Sequence, residues 1–323
     1  QAQPRSHWGE HCEALFMTSS FVQPDCATAA ARFANPQEGF TYSRTGNPTV
    51  ASFEERLAAM EGTECAVATS TGMSAILLVA LTALKAGDHI VASQSMFGST
   101  MRLLGTEMAR FGIESTFVPQ TDAQAWAAAI RPNTKLLFAE TPTNPLTDLC
   151  DIQALADIAH HHGALLVVDN SFATPVLQRP VEFGADIVVH SGTKFLDGQG
   201  RIMIGAVCGT TALVDKVMGT FLRSGGLNAA PYNAWTAMKG LETLALRVKA
   251  QSASALQLAQ WLEQQPQVER VFYPGLPSHP QHDLARRQMA NFSGMIAFQT
   301  HQDGSEIARD RKSTRLNSSH GYR

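Results

Sequence analysis

Lys194 lies in Val188-Val189-His190-Ser191-Gly192-Thr193-Lys194, and 25 residues upstream stands Leu165-Leu166-Val167-Val168-Asp169-Asn170. An apolar strand ending in Asp, then one ending in Ser-x-Thr-Lys, has the parts a pyridoxal 5'-phosphate site needs. The Lys amine can form a Schiff base with an aldehyde. The Asp can pair with a pyridinium nitrogen and keep it protonated, so that the ring draws electrons from a substrate. The Ser191 and Thr193 hydroxyls can hold a phosphate. Taken alone, Lys194 reads as a surface residue after a buried strand. The other pieces, in order along the chain, change that reading.

Ser70-Thr71-Gly72-Met73 lies between a strand pattern and a helix pattern. Gly72 lets backbone amides approach an anion, and a helix N-terminus favours it, although a structural turn would look the same. Phe97 follows the next strand pattern and could stack on a pyridine ring, or could serve as a core residue. Glu140-Thr141-Pro142-Thr143-Asn144-Pro145 is a stiff turn that presents Asn144, whose amide can meet a phenolate oxygen. Tyr42 and Arg44 precede a helix that Pro48 opens, and both are good phosphate donors. Gly72, Phe97, Asn144, Asp169 and Lys194 each follow a strand, an order hard to obtain by chance.

The elements that must position these residues alternate. Strands are predicted at 65–69, 89–93, 113–118, 135–140, 165–169, 187–190 and 205–208, with helices at 73–86, 101–111, 123–130 and 151–162. Helices of this length between buried apolar strands predict an α/β fold, a mostly parallel sheet covered on both faces. Ligands in such sheets sit beyond the carboxyl ends of the strands. A long helical pattern runs from Asn233 to Glu263, and a new unit begins at Val268. The expected organisation is an N-terminal arm (1–48), a cofactor-binding domain (49–240), an incomplete α+β C-terminal domain (241–309) and a foreign tail (310–323). The tail has no apolar periodicity and back-translates to a string resembling a sequencing adapter, so coding sequence is expected to end near Arg309.

Composition narrows the partners. The chain has 323 residues, is 44% hydrophobic and carries a net charge of −3 with no Lys/Arg run, which argues against nucleic acid. The apolar stretch Met73 to Leu84 is too short to span a bilayer, and no secretory signal pattern is present. The five cysteines are scattered without a C-x-x-C, as free thiols in a reducing cytoplasm would be. A cytoplasmic location and no membrane partner are expected. No metal site is expected, because His160-His161-His162 reads as an exposed helix end.

Tyr42-Ser43-Arg44-Thr45-Gly46-Asn47-Pro48-Thr49, Thr71-Gly72-Met73-Ser74-Ala75, Glu140 to Pro145, Val167-Val168-Asp169-Asn170-Ser171-Phe172-Ala173-Thr174-Pro175 and His190 to Lys194 together resemble the cysteine/methionine-metabolism (trans-sulfuration) family of pyridoxal phosphate enzymes. The resemblance covers roughly residues 14 to 309 and implies a fold-type I, aspartate-aminotransferase-like large domain. Phe97-Gly98-Ser99-Thr100, Asp197 to Arg201 and Asn233-Ala234-Trp235 with Lys239 to Leu244 lean towards its O-succinylhomoserine sulfhydrylase branch. The resemblance makes Lys194 the Schiff-base lysine, Asp169 the pyridinium partner and Phe97 the ring stacker, where Tyr is common. Asn144 then faces the cofactor oxygen, while Gly72, Met73, Ser191 and Thr193 hold the phosphate. Tyr42 and Arg44 would reach the phosphate of a neighbouring subunit, implying a homodimer or homotetramer.

The implied activity is γ-replacement on an O-acylhomoserine, the succinyl ester in this branch, with sulfide to give homocysteine in methionine biosynthesis. Cystathionine γ-synthase and cystathionine or methionine γ-lyase activities share the same core. The family's late Arg for the substrate α-carboxylate has no counterpart in this chain, so an inactive fragment is the non-enzymatic alternative.

Overall fold

The computed structural model describes residues 9–35 and 38–301. The tail expected at 310–323, and residues 302–309 of the expected C-terminal domain, lie outside them. Helix α1 (Cys26–Ala34) is capped by Asp25, whose side chain accepts from Thr28 N–H, and precedes α2 (Pro48–Glu61). Asn47 caps α2, Pro48 starts it, and Gly62 ends it in the left-handed region at φ 77°.

Strand and helix then alternate through β1 (Cys65–Thr69), α3 (Gly72–Ala83), β2 (His89–Ser93), α4 (Gly98–Arg102), β3 (Glu114–Val118), α5 (Ala123–Ala128) and β4 (Thr134–Glu140). They continue through α6 (Ile152–His161), β5 (Leu165–Asp169), α7 (Thr174–Leu177), β6 (Ile187–Ser191) and β7 (Gly205–Gly209). The chain proceeds through α8 (Thr220–Gly225), the 33-residue α9 (Pro231–Glu263), β8 (Val268–Phe272), α10 (His282–Gln288) and β9 (Ala297–Thr300).

The seven-stranded sheet has the order β1-β7-β6-β5-β4-β2-β3. Strand β7 runs antiparallel to both β1 and β6, and the remaining pairs are parallel. The mostly parallel sheet is therefore observed with one reversed strand. The stretch that joins β6 to β7 contains no helix to carry a parallel crossover.

Both faces are buried. On one, Ile90, Leu136, Phe138, Val167, Ile187 and Val189 pack with Ala75, Ile76 and Val79 of α3. On the other, Val91, Leu137, Ala139, Leu166 and Val168 pack with α6, while Ala66, Ala68, Val188 and Ala206 pack with α2 and α9.

Two expected helices differ by more than a residue or two. Helix α3 stops at Ala83, because Leu84 turns extended (φ −130°, ψ 153°) while staying in the core, and Gly87 makes the turn at φ 90°. The stretch expected as one helix at 101–111 is a short α-helix followed by a π-helical and a 3₁₀ turn. There Gly105 lies so close to Phe117 that a Cβ would meet the ring at 2.9 Å. The expected 240/241 boundary falls inside α9, which runs unbroken between two cores. Ala234 to Val248 belong to the sheet core, and Ala255 to Leu262 pack with Val271, Tyr273 and Leu276.

Candidate active site

Side chains alternate along a strand, so parity decides which strand-end residues share a face. Counting from Leu136 and Phe138, Glu140 falls on the α3 side, as do Asp169 after Val167 and Ser191 after Val189. Glu140 and Asp169 are direct register partners across β4 and β5. Thr69, Glu140 and Asp169 end their strands as expected, whereas β6 extends one residue past His190, to Ser191.

These ends open on a cavity of about 420 Å³. Of the residues singled out in sequence, Gly72, Met73, Phe97, Asn144, Asp169, Ser191, Thr193 and Lys194 all line it. Tyr42 and Arg44 stand elsewhere. The Arg44 guanidinium lies 5.5 Å from the Tyr42 ring centroid, donates to the Arg223 carbonyl and lines a second cavity of about 430 Å³.

One end of the cleft is a cradle for an anion. Thr71 caps α3, its hydroxyl accepting from Ser74 N–H at 3.0 Å, so the first-turn amides of Gly72 and Met73 come to the cavity wall. A Cβ on Gly72 would sit 2.7 Å from Ser191 Cβ, and one on Gly205 only 2.1 Å from the Thr71 carbonyl oxygen. Two glycines thus bring the helix N-terminus against the Ser191 loop. Ser191 and Thr193 line the same cavity, so amide and hydroxyl donors are available there to an anion.

The other end holds the acid–base groups. Asp169 Oδ1 accepts from the Ser171 hydroxyl at 2.5 Å and from Ser171 N–H at 3.0 Å. Burial raises the Asp169 pKa, while the Ser171 bonds and the Lys194 charge pull it back. Burial lowers the Lys194 pKa and the Asp169 charge opposes that. Glu140 is pushed up to about 8, first by burial and then by the neighbouring Asp169 charge.

Glu140 was recognised in sequence only as the end of a strand. Its carboxyl accepts from Phe97 N–H at 2.9 Å and Asn144 N–H at 3.1 Å, 43 residues away in one case and four in the other. The sequence signal was present, since an acid ending a buried strand is unusual.

The sequence profile of the Cys/Met metabolism PLP-dependent enzymes matches residues 1–321. The chain belongs to this family. Its members depend on pyridoxal phosphate, and the cradle, the buried Asp169 and the Lys194 amine across the same cavity fit that group. The chain is 56% identical over 296 residues to the O-succinylhomoserine sulfhydrylase of Pseudomonas aeruginosa, a match covering 92% of this chain and 73% of that protein. It is 42% identical over 287 residues to an L-methionine gamma-lyase of Porphyromonas gingivalis, covering 88% and 72% respectively. Among solved structures it matches metB from Corynebacterium glutamicum with a TM-score of 0.87 and 35% identity, over 93% of this chain and 76% of that one.

Elsewhere in the chain, His160 Nε2 meets Asp186 Oδ2 at 3.0 Å, a hydrogen-bond contact at a helix end. Among the described residues no group of three or more His, Cys, Asp or Glu is placed to hold a metal ion. No described helix is long and apolar enough to cross a membrane.

Proposed function

We propose that this protein catalyses γ-replacement on an O-acylhomoserine, the O-succinyl ester, with sulfide as nucleophile, releasing succinate and forming homocysteine. The observation that carries the reading is the cleft itself, a buried Asp169 and a half-buried Lys194 across one cavity, in a chain 56% identical to a protein named O-succinylhomoserine sulfhydrylase.

When bound, pyridoxal phosphate supplies an aldehyde for the Lys194 amine and a ring that withdraws electrons from the substrate. Gly72, Met73, Ser191 and Thr193 would hold its phosphate, and Asp169 would pair with the ring nitrogen and keep it protonated. Phe97 would stack on the ring, and Asn144 would bond the ring oxygen, both residues lining the cavity. Burial lowers the Lys194 pKa, which favours the free amine. The amine can then take the α-proton from substrate; a β-proton leaves next as the γ-acyloxy group departs as succinate, and both carbons regain a proton after sulfide has added at the γ-carbon. Ile76 and Phe172 make that side of the cavity apolar, which limits water as a competing nucleophile. Tyr42 and Arg44 line no part of this cavity, and we assign them to the phosphate of a second copy in a homodimer or homotetramer. The arm (1–48), the cofactor-binding domain (49–240) and the C-terminal unit are kept as the organisation of the chain. The setting is the cytoplasm.

A γ-lyase reading is favoured by the 42% identity to an L-methionine gamma-lyase. Product analysis separates the two. The ester with sulfide should give homocysteine and succinate. Cystathionine formed preferentially from added cysteine would make the protein a γ-synthase. An α-keto acid and ammonia formed at the same rate without any nucleophile would make it a lyase.

A further inference from the structure

The loops that carry Phe97 and Asn144 leave neighbouring strands, β2 and β4, and diverge. Glu140 is 3% exposed, and the amides it holds are those of these two residues, one on each oxygen. The Glu140 carbonyl accepts from Gln120 Nε2, which fixes the backbone from which the side chain reaches. We propose that Glu140 is a positioning residue, a bidentate clamp that sets Phe97 and Asn144 at a fixed separation across the cofactor cleft. The proposal rests on the reading of the cleft as a pyridoxal phosphate site.

The geometry needs a carboxyl group. Its two oxygens offer two acceptors, and both partners are N–H donors. Glutamine has the same shape, but one of its atoms would be an NH₂ aimed at a backbone N–H. One loop must then swing away, or one buried amide loses its acceptor. The adjacent Asp169 charge and burial hold the Glu140 carboxyl largely in its acid form near neutrality. The two N–H bonds favour the carboxylate and pull against that shift, and in the acid form the hydroxyl oxygen is the weaker acceptor of the two.

The test compares Glu140→Gln with Glu54→Gln. Glu54 is another buried acid pushed up to about 8, and it also accepts a backbone N–H, from Ala68 at 2.6 Å, but it lines the other cavity. Each protein is titrated with pyridoxal phosphate. Three readings are taken: the absorbance band on the order of 420 nm from the cofactor's Schiff base, the induced circular dichroism in that band, and the melting of the apo form.

Glu140→Gln should reach the full band, since Lys194 is intact, but require about tenfold more cofactor, as expected for one buried amide losing its acceptor. Its induced dichroism per bound cofactor should fall, while Glu54→Gln keeps wild-type affinity and dichroism. Adding Phe97→Leu to Glu140→Gln should lower the dichroism no further, because both act on one contact. Wild-type affinity and dichroism in folded Glu140→Gln would overturn the clamp, as would equal losses in both Gln variants. A wild-type chain without the band would overturn the cofactor reading instead. Should Glu140→Gln not fold, Glu140→Asp keeps both acceptors but draws them back by one methylene. Weaker binding there supports the clamp, and unchanged binding and dichroism overturn it.

Discussion

Asp169 and Asn170 are consecutive, as are His190 and Ser191, yet each pair is divided between two environments. Asp169 and Ser191 face the cleft. Asn170 and His190 turn into a sealed layer behind it, where both are fully buried. There His190 Nε2 meets Glu61 Oε1 at 2.5 Å, and the Asn170 amide donates to the same oxygen at 2.8 Å and to the Gln178 carbonyl at 2.9 Å. Gln178 extends the chain of bonds to Asn170 Oδ1 at 3.1 Å and to Gln288 of α10 at 3.0 Å. One layer of polar groups is aimed at space for a ligand, and the other is spent on itself. Chemistry and rigidity are thus supplied by alternate residues of the same strand ends. The rear layer ties α2, β5, β6 and α10 together where the cleft needs them fixed.

The cleft side is broken most severely by Lys194→Ala. Losing the proton-transferring amine alone should slow turnover by about 10²–10⁴-fold. The cofactor's Schiff-base band should vanish, while thermal melting of the apo protein stays close to wild type. A retained band would move the Schiff base to another lysine and dissolve the distinction between the two layers.

Much of this cleft could be read from sequence because its parts are local. Strand ends, the Gly72 turn and the Pro-stiffened loop at Asn144 each announce themselves within a few residues, and β1, β2 and β5 have the boundaries expected. The rear layer could not be read this way. Glu61 and His190 are 129 residues apart, and nothing in either neighbourhood names the other. The bond from Phe97 N–H to Glu140 was hidden for the same reason, since it spans 43 residues, although an acid ending a buried strand was itself a signal. The fold's parallel character was legible from strand–helix alternation, but the direction of β7 and the π-helical turn after α4 depend on tertiary packing.

The rear layer is tested by Glu61→Ala. Its removal leaves buried His190 and Asn170 facing a cavity, and a buried polar group that loses its partner costs about 1–3 kcal/mol. Denaturant unfolding should show that loss. The fraction still folded at low denaturant should nonetheless give the cofactor band at full amplitude. Unchanged stability with a lost band would mean that the rear layer takes part in binding and is no mere support.

The smallest effect sharpens the comparison at a third place. Glu54, on α2, caps Ala68 N–H of edge strand β1 and borders the cavity that Arg44 and Arg223 line. Burial pushes it up to about 8 from an ordinary 4.5, against the pull of Arg223. Between those values the unfolded chain has released this proton while the folded one keeps it, so stability falls as pH rises. The contribution is complete below about 4.5 and is lost as pH approaches 8. Glu54→Gln removes it, since the amide oxygen can still accept from Ala68 and nothing titrates. The variant should gain on wild type between pH 5 and pH 8, by about 1–2 kcal/mol once solvent screening at the cavity wall is allowed for. Parallel stability curves for the two proteins would mean that Glu54 is ionised in the fold and paired with Arg223. The acid beside the second cavity would then be a charged partner of its arginines, and the neutral buried acid would be a property of the cleft's Glu140 alone.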